Sequence, residues 1–198
     1  MQDSAISATV DFHQDGVQHG FLKLPYSHDQ SAWGNVMIPV TVIGNGEGPT
    51  ALLTGGNHGD EYEGITALLK LANRLQASDI CGRVIIVPMM NHPAVQNGTR
   101  TSPLDGGNLN RAFPGDPAGT LTEKIADYFT RYLVPLADVV TPNLFELGWL
   151  TGQNCADVDG AAKAARALGV PVVHVTSPPL REPETGVLSV ASAGVELY

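Results

Sequence analysis

Two residues spaced one helical turn apart could share a metal ion. His58 and Glu61 follow a short apolar run and two glycines, Gly55 and Gly56. Glycine lets the backbone turn sharply after a strand, and residues three apart at a helix start face the same side. An imidazole and a carboxylate are two of the three ligands in the His2Glu set of catalytic zinc. The spacing therefore predicts part of a metal site. The competing interpretation is a helix N-terminus whose carboxylates oppose the helix dipole.

A second polar segment carries two arginines, Arg100 and Arg111. It extends from Met89 to about Gly119, is rich in Asn, Gly, Pro and Asp, and is longer than an ordinary connection. A guanidinium group can bind a carboxylate through two parallel hydrogen bonds. The segment therefore predicts a site for an acidic ligand. The alternative is that the arginines pair with the segment's own aspartates and only hold the loop together.

The elements that must position these segments alternate between strand and helix patterns. The predicted strands are 36–43, 50–54, 83–88, 137–140 and 170–175, and the predicted helices lie around 65–75, 120–136 and 157–168. Thr120-Leu121-Thr122-Glu123 predicts a capping box, and Asp157 and Gly169 predict the start and the end of the last helix. This alternation predicts the α/β fold class, a three-layer α/β/α arrangement around a mostly parallel sheet. Open sheets of this kind bind ligands beyond the C-terminal ends of their strands. Because both polar segments begin at such ends, we expect them to lie together.

The pattern weakens towards both ends of the chain. Residues 1–35 are mixed and polar and predict at most short strands, residues 36–175 predict an α/β catalytic-type domain, and residues 176–198 show no strong periodicity. Proline lacks a backbone N–H, so Pro39 favours an edge position for its strand.

The composition excludes several classes of function. Lysine and arginine number 11 against 20 acidic residues, so the net charge is 11 − 20 = −9. Nucleic-acid binding without sequence preference needs a basic face, and an anionic membrane surface is disfavoured for the same reason. No apolar run is long enough to span a bilayer. The first residues lack the basic and apolar regions of a signal peptide, and two cysteines, Cys81 and Cys155, make no disulfide framework. We expect a cytoplasmic protein with a small-molecule ligand.

Taken together, the two polar segments resemble the succinylglutamate desuccinylase/aspartoacylase family. The pattern is Gly-Gly-x-His-Gly-x-Glu, then, after a strand, Asn-x-Pro-Ala, Gly-x-Arg and Asn-Leu-Asn-Arg-x-Phe-Pro-Gly. The resemblance extends from about Ile6 to Val140. Trp33-Gly34 and Met37-Ile38-Pro39-Val40 are similar to the members of the family that deacetylate N-acetyl-diaminobutyrate in ectoine breakdown.

The resemblance implies a zinc-exopeptidase-like fold and a zinc-dependent amidohydrolase that cleaves the amide bond of an N-acyl amino acid. It implies Zn²⁺ as the cofactor, with His58 and Glu61 as ligands. Arg100 would polarise the scissile carbonyl group. Asn110 and Arg111 would hold the carboxylate of the substrate.

Two further roles are implied by the resemblance. Asn108 would support the loop that carries Arg111. The segment Phe145-Glu146-Leu147-Gly148 is similar to a later Thr-Glu-Leu-Gly segment of the family, so Glu146 would be the general base that takes a proton from water.

The resemblance breaks after the strand pattern Ala137–Val140. The family has Asp-Leu/Phe-His-Ser-Gly-Gly at this point, and that His is the third zinc ligand. Leu144 stands in its place, and leucine ligates no metal. The break implies that an internal segment is missing and that residues 176–198 are the remnant of a β-rich segment. His92, which follows another strand end, is the candidate substitute ligand.

Two hypotheses of different kinds therefore stand side by side. The first is a zinc-dependent deacylase for an N-acyl amino acid, with N-acetyl-diaminobutyrate favoured. The second is a catalytically inactive remnant of that family with at most weak metal or ligand binding. A zinc carboxypeptidase is a weaker third. A homo-oligomer is also expected, because an incomplete sheet leaves an unpaired edge.

Overall fold

The structure is a computed structural model that describes residues 3–29, 32–176, 178–180 and 186–198. Within these residues the strands form a nine-stranded sheet in the order β1-β2-β3-β5-β4-β6-β7-β8-β9. The strands are β1 (Ser7–Ala8), β2 (Gly16–Pro25), β3 (Asn35–Asn45), β4 (Thr50–Thr54), β5 (Gly82–Val87), β6 (Val139–Val140), β7 (Val172–Thr176), β8 (Val187–Ala191) and β9 (Gly194–Leu197).

The helices cover the two faces of this sheet. They are α1 (Tyr62–Arg74), α2 (His92–Asn97), α3 (Leu109–Ala112), α4 (Leu121–Tyr128), α5 (Leu144–Thr151) and α6 (Val158–Ala167). Consecutive residues of β5 show the three layers, because Ile85 packs with Phe129 at the end of α4 and Ile86 packs with Ala72 of α1. The predicted α/β class and three-layer arrangement are confirmed.

Parallel pairing is confined to the centre of the sheet. β4 pairs in parallel with β5 and β6, and β6 pairs in parallel with β7. The flanking strands pair antiparallel. Connections such as the two residues between β8 and β9 are too short for the crossover that a parallel pair requires. The prediction of a mostly parallel sheet therefore holds only for the centre.

The prediction of at most short strands near the N-terminus is wrong. β2 has ten residues and pairs with β3 from Gly16 opposite Gly44 to Pro25 opposite Asn35. Leu22 and Leu24 point into the core, but polar residues elsewhere in the strand obscure the alternation in the sequence. The pairing of β2 with β3 therefore joins two regions that the sequence analysis separated at residue 35. The pairing of β7 with β8 likewise joins the regions that it separated at residue 175.

The expectation for Pro39 needs a correction. Its strand, β3, lies between β2 and β5 rather than at an edge of the sheet. β5 pairs with β3 only from Thr41 to Asn45, so Pro39 faces β2 on one side and lies beyond the end of the β5 pairing on the other. Proline is tolerated there because that side of the strand makes no ladder hydrogen bond.

Several helix signals are confirmed. Thr120 and Glu123 form the predicted capping box of α4. Asp157 caps α6 through the Gly160 N–H, and Gly169 follows that helix with a φ of 70°. No helix in the described part of the chain is long and apolar enough to cross a membrane.

Candidate functional site

The two polar segments lie against each other at the ends of β4 and β5, as predicted. The Met90 N–H donates to the Gly55 carbonyl at 2.8 Å, which ties the two strand ends together. Gly56 has a φ of 66°, a conformation that favours glycine. At Gly59 an added Cβ would lie 2.1 Å from the carbonyl carbon of Ala94. Glycine is therefore needed for this close approach of the first loop to α2.

His58 is held between two side chains at the start of α1. It is 5% exposed. Its Nδ1 lies 3.0 Å from Glu61 Oε1, and its Nε2 lies 3.1 Å from Asn108 Oδ1. That Oδ1 also accepts the Asn110 N–H, which identifies it as oxygen because an amide nitrogen could not accept there. The spacing therefore brings His58 and Glu61 together as expected, and both imidazole nitrogens face oxygen atoms.

Arg100 reaches the same carboxylate from the second loop. Its Nη1 lies 3.4 Å from Glu61 Oε1, and the two side chains are 58% and 59% exposed. An exposed pair of this kind adds little to stability. The geometry instead places a cationic group beside the His58–Glu61 pair, where it can meet a ligand.

Arg111 is oriented by an aromatic ring. Its guanidinium carbon lies 3.9 Å from the centre of the Phe145 ring, a cation–π distance. Within the described residues no carboxylate forms an ion pair with Arg111. Its neighbour Asn110 accepts a hydrogen bond from Asn57 Nδ2 at 3.3 Å. Arg111 is thus held in place by stacking, and its hydrogen-bond donors are not committed to a carboxylate of its own loop.

Asp105 holds the second loop together, which is the role that the alternative interpretation gave to the arginines. Its carboxylate accepts the Thr122 N–H at 2.7 Å, the Thr122 Oγ1 hydroxyl at 2.8 Å and the Gly107 N–H at 3.0 Å. Burial alone would raise the pKa of Asp105, but these hydrogen bonds hold its pKa below the ordinary value. The loop is therefore fastened to the first turn of α4 by an aspartate.

The structure does not bring His92 to the His58–Glu61 pair. His92 is the first residue of α2 and lines a separate cavity of about 420 Å³ together with Tyr26 and Met37. Burial lowers the pKa of His92. Among the described residues, no three His, Cys, Asp or Glu side chains gather as a metal site would require. His92 as a substitute ligand stays a prediction, and its place in a separate cavity, away from the loop of His58, does not favour it.

Leu144 and Glu146 belong to a helix that the sequence patterns missed. Asn143 and Glu146 form the capping box of α5, in which the carboxylate accepts the Asn143 N–H and the amide oxygen accepts the Glu146 N–H, both at 2.9 Å. Leu144 packs beside the buried residues that follow it. The pattern Asn-x-x-Glu is a recognisable helix start, so a capping search would have found α5.

Glu61 and Glu146 line the same cavity, which lies between α1 and α5. This cavity has a volume of about 530 Å³, and its lining includes Leu68 of α1 and Leu150 of α5. Its walls are mostly apolar, as in many small-molecule sites. Glu146 as a general base stays a prediction, because its carboxylate reaches the cavity but is also engaged in the helix cap.

The described residues fit a catalytic zinc ion only in part. His58 and Glu61 could provide two protein ligands, whereas catalytic zinc sites usually have three and a water molecule. Leu144 stands where the resemblance implies a third ligand, and no group of three His, Cys, Asp or Glu side chains gathers among the described residues.

Comparison with known proteins identifies relatives for most of the chain. Residues 47–141 match the family described as "Succinylglutamate desuccinylase/Aspartoacylase catalytic domain". The N-alpha-acetyl-L-2,4-diaminobutyric acid deacetylase of Halomonas elongata is 78% identical over 137 residues, which are 69% of this chain and 40% of the relative. The product-bound structure of the ectoine utilization protein EutE (DoeB) from Ruegeria pomeroyi is 63% identical with a TM-score of 0.70. That match covers 72% of this chain and 44% of the other. The chain thus spans about two fifths of the length of these two relatives.

A second similarity concerns a different kind of enzyme. The pyridoxal kinase PdxY of Leifsonia xyli is 45% identical over 56 residues, which are 27% of this chain and 20% of the kinase. The pyridoxal kinase PdxY of Corynebacterium diphtheriae is 29% identical over 157 residues, which are 77% of this chain and 50% of the kinase.

Proposed function

We propose that the part of the chain that ends near Thr141, which matches the succinylglutamate desuccinylase/aspartoacylase family over residues 47–141, carries the substrate site of a deacylase for an N-acyl amino acid. The observation that carries this proposal is the meeting of the two strand-end loops. They place His58 and Arg100 around the carboxylate of Glu61. The favoured substrate is N-acetyl-diaminobutyrate, which is supported by the 78% identity to the Halomonas deacetylase.

In this proposal Arg111 and Asn110 bind the carboxylate of the amino acid. The guanidinium group of Arg111 presents parallel N–H donors, and stacking on Phe145 limits the orientations that it can adopt. Asn110 adds an amide donor from the first residues of α3. Arg100 then lies near the acyl end of the substrate, where a cation stabilises negative charge that develops on the carbonyl oxygen.

Zinc is the proposed cofactor, with His58 and Glu61 as its ligands. Bound zinc would supply a water molecule of lowered pKa. The described residues offer no third ligand, so the pair alone is expected to hold zinc weakly. Glu146 is the proposed general base, at the wall of the same cavity as Glu61.

A second candidate is that the chain binds the N-acyl amino acid but does not hydrolyse it. Two observations favour it: Leu144 stands in place of a ligand, and the Glu146 carboxylate is engaged in a helix cap. The similarity to pyridoxal kinase brings no kinase activity into either candidate, because the matched part is only 20% of that kinase. A cytoplasmic location and a homo-oligomer remain predictions.

One set of measurements separates the candidates. Zinc content is determined by elemental analysis, binding of N-acetyl-diaminobutyrate by calorimetry, and hydrolysis by release of the free amino acid. The deacylase requires about one zinc per chain that His58→Ala removes, together with product release. Binding without product release supports the second candidate. Failure to bind the ligand in the presence of zinc contradicts both.

Glu146→Gln is the matched variant for the base. Its amide oxygen can still accept the Asn143 N–H, so α5 keeps its cap while the carboxylate is lost. If Glu146 is the base, product release falls at least about a hundred-fold. Product release that equals that of the wild-type chain excludes Glu146 from the reaction.

A further inference from the structure

The two similarities divide the chain at one place. The family match ends at residue 141, which leaves 198 − 141 = 57 residues, and the similarity to pyridoxal kinase spans 56. The deacetylase and kinase matches cover 69% and 27% of the chain, shares that add up to 96%. These lengths fit a kinase-like similarity in the part that begins near Pro142, and the weaker match to the Corynebacterium kinase, 29% identical over 77% of the chain, extends beyond that part.

The buried core divides at the same place. One cluster of fully buried side chains, here called the C-terminal core, lies entirely beyond residue 142. Its members are Leu147, Cys155, Ala161, Ala162, Ala164, Ala165, Val173, Val175, Leu188 and Val190. Among the described residues, the other two clusters of buried side chains contain nothing after Leu133. Each part of the chain thus packs chiefly on itself.

The connection between the two parts is narrow. β6 has two residues and pairs with β7 of the second part at two positions, Val139 opposite Val172 and Val140 opposite Val173. The Val172 N–H adds a hydrogen bond to the Asp138 carbonyl at 2.9 Å, and Phe145 stacks on Arg111. By comparison, β2 and β3 pair over ten positions.

The surfaces on either side of this connection leave a large space between them. The cavity of about 530 Å³ is lined by Leu68 and Phe129 from the first part and by Leu150 and Leu168 from the second. The second part therefore forms one wall of the cavity that Glu61 lines, rather than packing closely against the first part.

We propose that residues 142–198 are a second folding unit, related to pyridoxal kinases, that is joined to the deacylase-like part through β6. This unit stands where the deacylase would continue, which accounts for Leu144 in the position of the third zinc ligand. On this proposal the likeness of Phe145-Glu146-Leu147-Gly148 to a deacylase segment is a coincidence within a helix start, which favours the second candidate function, ligand binding without hydrolysis. The tests below measure folding and do not use hydrolysis.

Trp149 provides a probe of this unit in the full-length chain. The chain has two tryptophans, and Trp33 is 93% exposed, so Trp33→Phe removes its fluorescence without loss of packing. Trp149 lies in α5, with its ring centre 5.9 Å from that of Phe145. In the Trp33→Phe variant, indole fluorescence reports the unfolding of residues 142–198, while far-UV circular dichroism reports the chain as a whole.

Urea titration of this variant tests the proposal. We expect two separate transitions, with the Trp149 signal lost at a lower urea concentration than most of the circular dichroism, because the C-terminal core is the smaller one. Coincident transitions are the mark of a single cooperative unit and would overturn the proposal.

A matched pair of core variants gives a second measurement. Leu188 and Leu22 are both fully buried, one in each part. Leu188→Ala should increase hydrogen exchange about ten-fold or more in peptides from 144–176 and leave β2, β3 and β5 unchanged, and Leu22→Ala should do the reverse. Equal acceleration of both parts by either variant would contradict the proposal. If Leu188→Ala does not fold, the transitions of the Trp33→Phe variant decide the matter.

Discussion

The parts of the molecule before and after Thr141 use their polar side chains differently. In the first part, side chains at two strand ends converge: Glu61 and Asn108 hold the ring of His58, and Arg100 joins Glu61. In the second part, Asn143 and Asp157 cap helices. Convergent polar groups from different elements favour a ligand site, whereas polar groups that cap their own helix favour a scaffold. The comparison places the site in the first part.

The largest expected effect tests the separate packing of the second part. Leu147 is fully buried in the C-terminal core. Leu147→Ala should lower the free energy of unfolding of that part by about 2–5 kcal/mol, because it removes a buried side chain and leaves a cavity. Trp149 fluorescence in urea, on the Trp33→Phe background, measures the loss. Leu133→Ala, at an equally buried position before Thr141, is the control and should leave the Trp149 transition unchanged.

A somewhat smaller effect concerns the ligand site. Arg111→Ala should weaken binding of N-acetyl-diaminobutyrate by about 2–4 kcal/mol if the guanidinium group pairs with the substrate carboxylate. Calorimetric titration measures the affinity. Arg111→Lys keeps the charge but loses the planar fork, so it should fall between the wild type and Arg111→Ala. An affinity that neither substitution changes would place Arg111 outside the site.

The next prediction concerns the helix cap of α5, whose loss should lower the free energy of unfolding of the second part by about 1 kcal/mol. Asn143→Ala removes the amide that accepts the Glu146 N–H, and loss of such a cap typically costs about 0.5–2 kcal/mol. The Trp149 transition should shift to lower urea by a corresponding amount, while ligand binding stays the same. Thr120→Ala removes the equivalent cap of α4 and should act on the first part instead. Loss of ligand binding in Asn143→Ala with an unshifted Trp149 transition would argue against a scaffold role for α5.

The smallest expected effect is a dependence of stability on pH. The folded-state pKa of Asp105 lies below the ordinary value, so its carboxylate stabilises the loop above the unfolded pKa of about 3.9. This contribution is lost as the pH falls through the lowered folded-state pKa. The difference in unfolding free energy between the wild type and Asp105→Asn should therefore be constant above about pH 5 and shrink below about pH 4. Thr122→Val removes one hydrogen bond to Asp105 and should remove part of this pH dependence. If the difference in unfolding free energy between the wild type and Asp105→Asn does not change with pH, Asp105 does not fasten the loop.

The sequence was sufficient for the centre of the fold and for both loops. The predicted strand 50–54 coincides with β4, and Thr120, Asp157 and Gly169 mark helix ends as expected. These features depend on local backbone rules, which a single sequence displays. The convergence of His58 and Glu61 was predictable for the same reason, since both residues lie in one turn.

Other features depend on partners that are distant in the sequence. The ten-residue strand β2 was missed because its inward side chains are recognised only once β3 lies beside it. His92 and Asn91 follow β5 as predicted, but the direction of α2 decides where the imidazole points. The similarity of Phe145-Glu146-Leu147-Gly148 to a catalytic segment rests on too few residues to exclude an ordinary helix start, and the cap of α5 provides that simpler explanation.

Hydrogen exchange of the full-length chain with and without N-acetyl-diaminobutyrate tests most directly whether the two strand-end loops form the ligand site. We predict that the ligand slows exchange in peptides that contain residues 55–61 and 98–113, and leaves peptides from 157–176 unchanged. Protection of 157–176 equal to that of the two loops would contradict this account, because it would make the second part a component of the ligand site.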